Sequence, residues 1–572
     1  MNTRTKARII RNALRFSCLK ESVEFNNACR FPLYTQARTL RSILSASVDT
    51  VFGREHHFDE ILQAKDEFEL IRRYRQFVPV VEYEDVRPYV KRMMSGESDV
   101  LIKGKPVMYA TTSGSTGEPK YIPISKSYLD KVYFGMTNIL ALTYSKLRMR
   151  CFSGYILTIV GKTEEGRAED GTPVGSASGL TSGSTKGFIN RMYAVPKEVF
   201  SIEDYSSRYY TLMRFAIEKN VTLWVTPNPS TVLEMQSVVD NHLDDFIKDI
   251  GEGTINKDII IEPEIRATLE KNLKPNPSRA YELRRLQSTY ERVLPRHYWP
   301  KLKMLSTWKC GNTHIYLSKI HDFFSPSVVH HEFGYFASEC RAGLVVDRSN
   351  ESVLFPNKHF FEFKKEKDLG NPSAPFLRLD ELKEGERYCP YVTTWSGLFR
   401  YNLNDIVQVA SRYKRAPRVH MVQKVNGIVS ITGEKLYEDQ FIKAVDAAQE
   451  STGMKLLYYA GYVNLQESRY DWYFEFEDSR INQKRSETFA KVVDDNLKRM
   501  NIEYESKRNS FRLKDPAVYL LVPNAFAKFK KFIISRNHRD ASRFKPNVLA
   551  QNEENHSVIK KFIKTGKKKQ TD

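Results

Sequence analysis

At 572 residues the chain is too long for one ordinary hydrophobic core and points to two or more domains. Hydrophobic residues make up 41% and charged residues 28%, the composition of a globular enzyme, and no apolar run is long enough to cross a bilayer. The net charge is +20, from 89 Lys+Arg against 69 Asp+Glu, which fits a basic surface and an anionic substrate without requiring a nucleic-acid partner.

The six cysteines, at 18, 29, 151, 310, 340 and 389, contain no Cys-x-x-Cys pair. That argues against a zinc site or a disulfide framework and fits a reducing compartment, so a cytoplasmic location is expected. The first acidic residue is Glu21, preceded by Arg4, Lys6, Arg8, Arg11 and Arg15. This composition resembles a transit peptide, but no small-residue cleavage site stands out. The expectation is a surface helix whose apolar side, Ile9, Ile10, Leu14 and Phe16, packs on the body.

In chain order, residues 1–100 read as mostly helical, with helical apolar spacing over 37–51 and 58–77 broken by Phe77-Val-Pro-Val-Val-Glu-Tyr83. Residues 107–110 and 121–124 are rich in β-branched and aromatic side chains and read as strands around a loop. A helix is expected over 125–147, capped by Ser125 or Ser127, then a buried strand over 151–160 and a Gly/Ser/Thr-rich loop over 161–188. A strand over 221–226 leads into a turn and helix at Pro227–Thr231, and charged helices fill 240–300. Strands follow over 302–308, 328–336 and 344–354, an alternation that indicates α/β architecture. A new pattern begins near 420–430, with strands over 456–463, 470–477 and 517–522 and a helix over 486–500. This predicts domains over 1–425 and 426–572, the second ending in a basic tail. Tyr133, Phe134, Tyr155 and Trp224 read either as walls of an apolar slot or as ordinary core.

Four segments carry chemistry. In Tyr109-Ala-Thr-Thr-Ser-Gly-Ser-Thr-Gly-Glu-Pro-Lys120, hydroxyls of Thr112, Ser113, Ser115 and Thr116 surround Gly114 and Gly117, and Lys120 closes the loop. Glycines let backbone N–H groups face an anion, so this is a cradle for phosphate oxygens, though not a Walker A loop. Gly334-Tyr-Phe-Ala-Ser-Glu339 ends in a carboxylate suited to Mg²⁺, with Tyr335 placed for a base and Ser338 for a phosphate. Phe399-Arg-Tyr-Asn-Leu-Asn-Asp405 offers Asp405 to ribose hydroxyls. Arg543-Phe-Lys-Pro-Asn547 offers Lys545 to an α-phosphate. Taken alone, Glu339 and Asp405 read as turn residues and Lys545 as a surface lysine. A second Gly/Ser segment, 175–187, lacks the Pro-Lys close and reads as a substrate-facing loop.

The order of these segments, Thr-Ser-Gly-Ser-Thr-Gly-x-Pro-Lys, Tyr-x-Ala-Ser-Glu, Tyr-x-x-x-Asp and a late lysine, resembles the adenylate-forming superfamily. Within it the chain is similar to the auxin-responsive acyl-acid amido synthetases, known from plants and bacteria, and reads as a bacterial-type member. The segments Gln36–Leu40, Thr50–Gly53, Val78–Asp85 and Ile431–Leu436 carry that narrower likeness, which runs over nearly the full length.

The resemblance implies an α/β adenylate-forming fold, with a large N-terminal domain of mixed sheets and helices and a small mobile α+β C-terminal domain. It implies ATP and Mg²⁺, a small carboxylic acid and an amine such as an amino acid. The acid is adenylated with release of pyrophosphate, and the acyl group then passes to the amine as an amide. Lys545 and Lys120 become catalytic, Thr112 to Gly117 with Tyr335, Ser338 and Asp405 hold the nucleotide, and Glu339 holds the metal. The sequence departs from the family where Tyr-Arg-x-Gly-Asp appears as Tyr401-Asn-Leu-Asn-Asp405 and where the late Arg is replaced by Asn547. Asn404 is expected to take the left-handed turn that glycine supplies. The alternatives are a ligase that delivers the acyl group to coenzyme A or a carrier protein, and a non-catalytic basic binding protein.

Overall fold

The structure, a computed structural model, describes residues 3–112, 120–159, 164–175, 192–309, 317, 320–369, 371–425, 428–529, 532, 548–551 and 553–564. Two compact units divide the chain, one formed by Met1–Thr112 and Lys120–Gln423, the other containing Lys424–Asp572.

The first unit opens on three helices, α1 (Thr3–Ser17), α2 (Leu19–Arg30) and α3 (Pro32–Ser47). Helix α3 turns Ala37, Leu40, Ile43 and Leu44 into the largest core, at the helical spacing read from the sequence. The helix Glu67–Phe77 starts where Asp66 accepts the N–H of Glu69, a side-chain cap on an otherwise orphaned donor. On α1 only part of the expected face is buried. Ile10 and Leu14 pack against a core cluster, whereas Ile9 and Phe16 point to solvent.

A parallel sheet runs Tyr155–Thr158, Val221–Val225, Met304–Thr307, Val329–Glu332 in spatial order. Its strands are near-continuous runs of buried residues, as a parallel sheet covered by helices demands. Trp224 is fully buried there, edge-to-face with Trp299 at 5.4 Å, so it is core rather than slot wall. Tyr133 is also buried, while Phe134 and Tyr155 are half-buried. The charged stretch after residue 229 forms the helices Ser230–Glu252, Pro263–Glu270, Pro277–Thr289 and Pro295–Tyr298. Proline opens the last three, where its missing N–H costs nothing.

The sheet buries one polar chain. Tyr144 donates to Ser306 Oγ at 2.7 Å, and Ser306 lies 3.2 Å from His331 Nδ1. His331 Nε2 lies 3.1 Å from the Val345 carbonyl, which can only accept, so Nε2 carries a proton. Burial lowers the His331 pKa to about 4.

A second, largely antiparallel sheet includes Phe360–Lys365, Arg387–Thr393, Asp405–Tyr413 and Ala416–Lys424. The strand expected over 344–354 is instead two short ones, Gly343–Leu344 and Ser352–Leu354, paired antiparallel. Lys414 and Arg415 form the turn between the paired strands Asp405–Tyr413 and Ala416–Lys424.

In the second unit, the strands Leu456–Asn464 and Arg469–Phe476 pair antiparallel, flanked by Ala517–Leu520 and Leu549–Ala550. The helices Glu438–Thr452 and Gln483–Met500 pack on this sheet through Phe441, Phe489 and Val493. Glu434, fully buried, accepts the N–H groups of Ile431 and Thr432 and the hydroxyl of Tyr470. The Ile431–Leu436 segment is thereby closed on a satisfied carboxylate.

Candidate active site

The strands Met108–Thr112 and Lys120–Ile124 pair antiparallel, with Thr112 directly across from Lys120. The two ends of the proposed phosphate loop are therefore pinned by one cross-strand pair. Ser113, Gly114, Ser115, Thr116 and Gly117 lie outside the described residues, as does nearly all of the 175–187 segment. Ser125 caps the following helix, accepting the N–H of Tyr128 at 2.9 Å and donating to the Trp395 carbonyl at 2.6 Å.

Lys120 is buried. Its ammonium donates to the Tyr401 hydroxyl at 3.5 Å and lies 5.4 Å from the centroid of the Tyr83 ring. Tyr83 in turn accepts the N–H of Tyr121 at 2.6 Å, which ties the base of the loop to the helix Tyr83–Met94.

Gly334 precedes Tyr335 with φ +128, and a Cβ there would fall 2.6 Å from the Gly343 carbonyl oxygen. Only glycine permits that approach, and Tyr335 then pairs with 342–343 through backbone hydrogen bonds. A bridge between Phe336 and Arg341 closes a tight hairpin that carries half-buried Ser338 and Glu339 at its tip.

The structure brings Tyr335 and Asp405 together. The Tyr335 hydroxyl donates to Asp405 Oδ2 at 2.8 Å, and both residues are buried. Burial first, and then the Asp405 charge, hold the phenol proton well above its ordinary pKa. Tyr335 thus offers Asp405 a neutral donor, beyond the ring contact expected for it. Lys120 thus meets Tyr401, and Tyr335 meets Asp405, so the Phe399–Asp405 segment touches the segments of both Lys120 and Tyr335.

The departure at Tyr401–Asp405 has a structural answer. Asn404 takes φ +54, the left-handed conformation expected in place of glycine. The Asn402 amide donates to Glu82 Oε1 at 2.7 Å and the Asn404 amide to Glu82 Oε2 at 2.6 Å. Two neutral amides thus hold the carboxylate at this turn. Glu82 belongs to the Val78–Asp85 segment, which also meets this turn through a Val81–Tyr401 bridge and a 2.8 Å bond from Arg400 to the Val78 carbonyl. Arg400 is fixed by the buried Glu362 carboxylate at 2.8 Å, which Arg75 shares at 2.7 Å.

Sequence reasoning missed Arg341 and Lys131. The Arg341 guanidinium lies 3.6 Å from the Tyr133 ring centroid and donates to Thr137 at 3.1 Å. The Lys131 ammonium lies 3.5 Å from the Trp395 ring centroid, and burial lowers its pKa. Arg341 stands two residues past Glu339, a position the motif could have flagged. Lys131 sits in a π-helical turn, Leu129–Tyr133, for which the sequence has no signal. Lys545 lies outside the described residues. Among the described residues no group of three or more His, Cys, Asp or Glu side chains forms a metal cage. Glu339 therefore fits Mg²⁺ only in the manner of a single carboxylate sharing the ion with phosphates and water.

The chain is similar to known proteins. The chain is 26% identical to indole-3-acetic acid-amido synthetase GH3.15 of Arabidopsis thaliana over 522 residues, 85% of this chain and 87% of that one. It is 27% identical to probable indole-3-acetic acid-amido synthetase GH3.1 of the same plant over 466 residues, covering 75% and 76%. The solved GH3.15 acyl acid amido synthetase matches with TM-score 0.62 at 22% identity, over 94% of this chain and 95% of that one. The same synthetase in complex with 2,4-DB matches with TM-score 0.63 at 22% identity, covering 96% of each chain. The fold is that of the adenylate-forming enzymes. The models of the GH3 family N-terminal, central and C-terminal domains match residues 22–329, 352–424 and 439–554 in turn, and the chain belongs to the GH3 family.

Proposed function

We propose that this chain is an ATP-dependent acyl acid amido synthetase, AMP-forming, that joins a small carboxylic acid to an amino acid. The observation that carries the reading is that the Phe399–Asp405 segment meets Lys120 through Tyr401 and Tyr335 through Asp405, which brings residues of three of the four chemical segments together.

In the first step a carboxylate oxygen of the acid attacks the α-phosphorus of ATP. The bond from that phosphorus to the bridging oxygen breaks, and pyrophosphate leaves. In the second step the neutral amine attacks the acyl carbon, AMP leaves with the former carboxylate oxygen, and the nitrogen loses a proton. Hydroxide is a poor leaving group and AMP a good one, which is why the acid is activated first. Lys120, with Thr112, Ser113, Gly114, Ser115, Thr116 and Gly117, holds the leaving pyrophosphate. Asp405, oriented by the Tyr335 hydroxyl, binds the ribose, and Tyr335 and Ser338 complete the nucleotide site. Lys545 offsets charge that builds on the α-phosphate. Glu339 would hold Mg²⁺, which when bound would supply neutralisation of phosphate charge. The Arg341 guanidinium, set against Tyr133, suits the acid's carboxylate before attack. The scattered cysteines and the need for ATP suit the cytoplasm.

Purified protein with ATP, an acid panel and an amino-acid mixture should yield acyl amides and AMP by mass spectrometry. An acyl-thioester formed with coenzyme A, and no amide, would move the chain to the thioester-forming alternative.

A further inference from the structure

Helix α1 lies almost wholly outside the matched family domains, which begin at residue 22, and it carries an unusual surface. It holds Arg4, Lys6, Arg8, Arg11 and Arg15 and no acidic residue. Its inner side packs on Met149–Phe152 and the helix Phe134–Leu147 through Ile10 and Leu14. The backbone ladder continues into α2, with Cys18 N–H bonded to Leu14 and Ser22 N–H to Cys18, both at 2.9 Å. Across Cys18, which is not helical at φ −100 and ψ 12, Ile9 and Phe16 share one face of α1 and Leu19 and Val23 one face of α2, and all four are exposed. Ile9 is 53%, Phe16 84%, Leu19 57% and Val23 50% exposed. Arg15 and Lys20, also exposed, flank them.

We infer that this surface is a peripheral anchor that lays the protein on an anionic lipid bilayer. Large exposed apolar side chains on the two successive helices, bordered by cations, match an interface whose headgroups are negative and whose interior is apolar. The same surface suits other occupants poorly. A two-fold contact between copies would set Arg15 and Lys20 against like charges. A phosphate backbone would leave Phe16 and Leu19 without an apolar partner.

Cosedimentation of the full chain with vesicles tests the anchor. Vesicles of phosphatidylcholine with about one third phosphatidylserine should bind the protein, pure phosphatidylcholine should not, and binding should fall as salt rises. The variant F16S/L19S should lower the bound fraction on the order of tenfold, as should R15E. The control Y281S removes another exposed apolar side chain, 72% exposed on the helix Pro277–Thr289, and should bind as wild type does. All four substituted positions are exposed, and an unchanged thermal midpoint confirms the fold. Equal binding by F16S/L19S, binding to neither vesicle, or self-association abolished by F16S/L19S without vesicle binding would each overturn the proposal.

Discussion

The Tyr335 hydroxyl and Asp405 Oδ2 meet at 2.8 Å inside the first unit, joining two sequence segments that stand seventy positions apart. A phenol that donates to a buried carboxylate fixes its orientation, and a hydrogen bond to a charged group contributes roughly 1.5–3 kcal/mol. Tyr335→Phe should therefore raise the KM for ATP about tenfold or more, and Asp405→Asn should raise it further. Steady-state kinetics with varied ATP at saturating acid check both. Unchanged ATP kinetics in both variants would remove this pair from the nucleotide site.

The turn Tyr401–Asp405 survives without its usual glycine and arginine because Asn404 takes φ +54 and both asparagines hold Glu82. Asn404→Val should destabilise the chain by about 2 kcal/mol, since a β-branched residue in the left-handed region costs roughly 1–2 kcal/mol and the amide contact is lost as well. Asn404→Gly keeps the backbone and should lose only the amide contact. Denaturant melts of the two variants should rank them in that order.

Stability should depend on pH through His331. Its pKa is about 4 folded against 6.5 ordinarily, and burial is the main cause. Between those values the unfolded chain binds more protons, so stability is fully present above pH 6.5 and is lost as the pH falls toward 4. The loss from this one group is on the order of 3 kcal/mol. His330 and His359, also lowered by burial, to about 4 and about 3, add to the same slope. His331→Gln should flatten the stability profile in that window by about one proton's worth. A profile as steep as wild type would show that His331 is protonated when folded.

Arg341→Gln should raise the KM for the acid well above tenfold while leaving the KM for ATP near wild type, because a guanidinium–carboxylate pair is lost from the acid alone. Equal rises for both substrates would place Arg341 with the nucleotide instead.

Much of this was legible in the sequence. The hairpin around 113–119 follows from β-branched flanks, and Asn404's turn from asparagine's tolerance of positive φ. The contacts between segments were not. Nothing local in Val78–Asp85 announces that Glu82 answers Asn402 and Asn404, because that pairing spans more than three hundred residues. The face of α1 was read only in part. Helical spacing identifies a stripe, but Ile9 and Ile10 are adjacent, and which one turns inward depends on what the helix packs against. The π-turn that carries Lys131 has no compositional marker at all.

The measurement that bears most directly on adenylation is acid-dependent exchange of labelled pyrophosphate into ATP, run on wild type, Lys120→Ala and Asp405→Asn. Wild type should exchange label only when a suitable carboxylic acid is present, and both variants should fall by roughly a hundredfold, as loss of a charged contact at developing charge entails. Absence of exchange with every acid in a broad panel, or exchange that neither variant diminishes, would contradict the assignment of this site to acyl-adenylate formation.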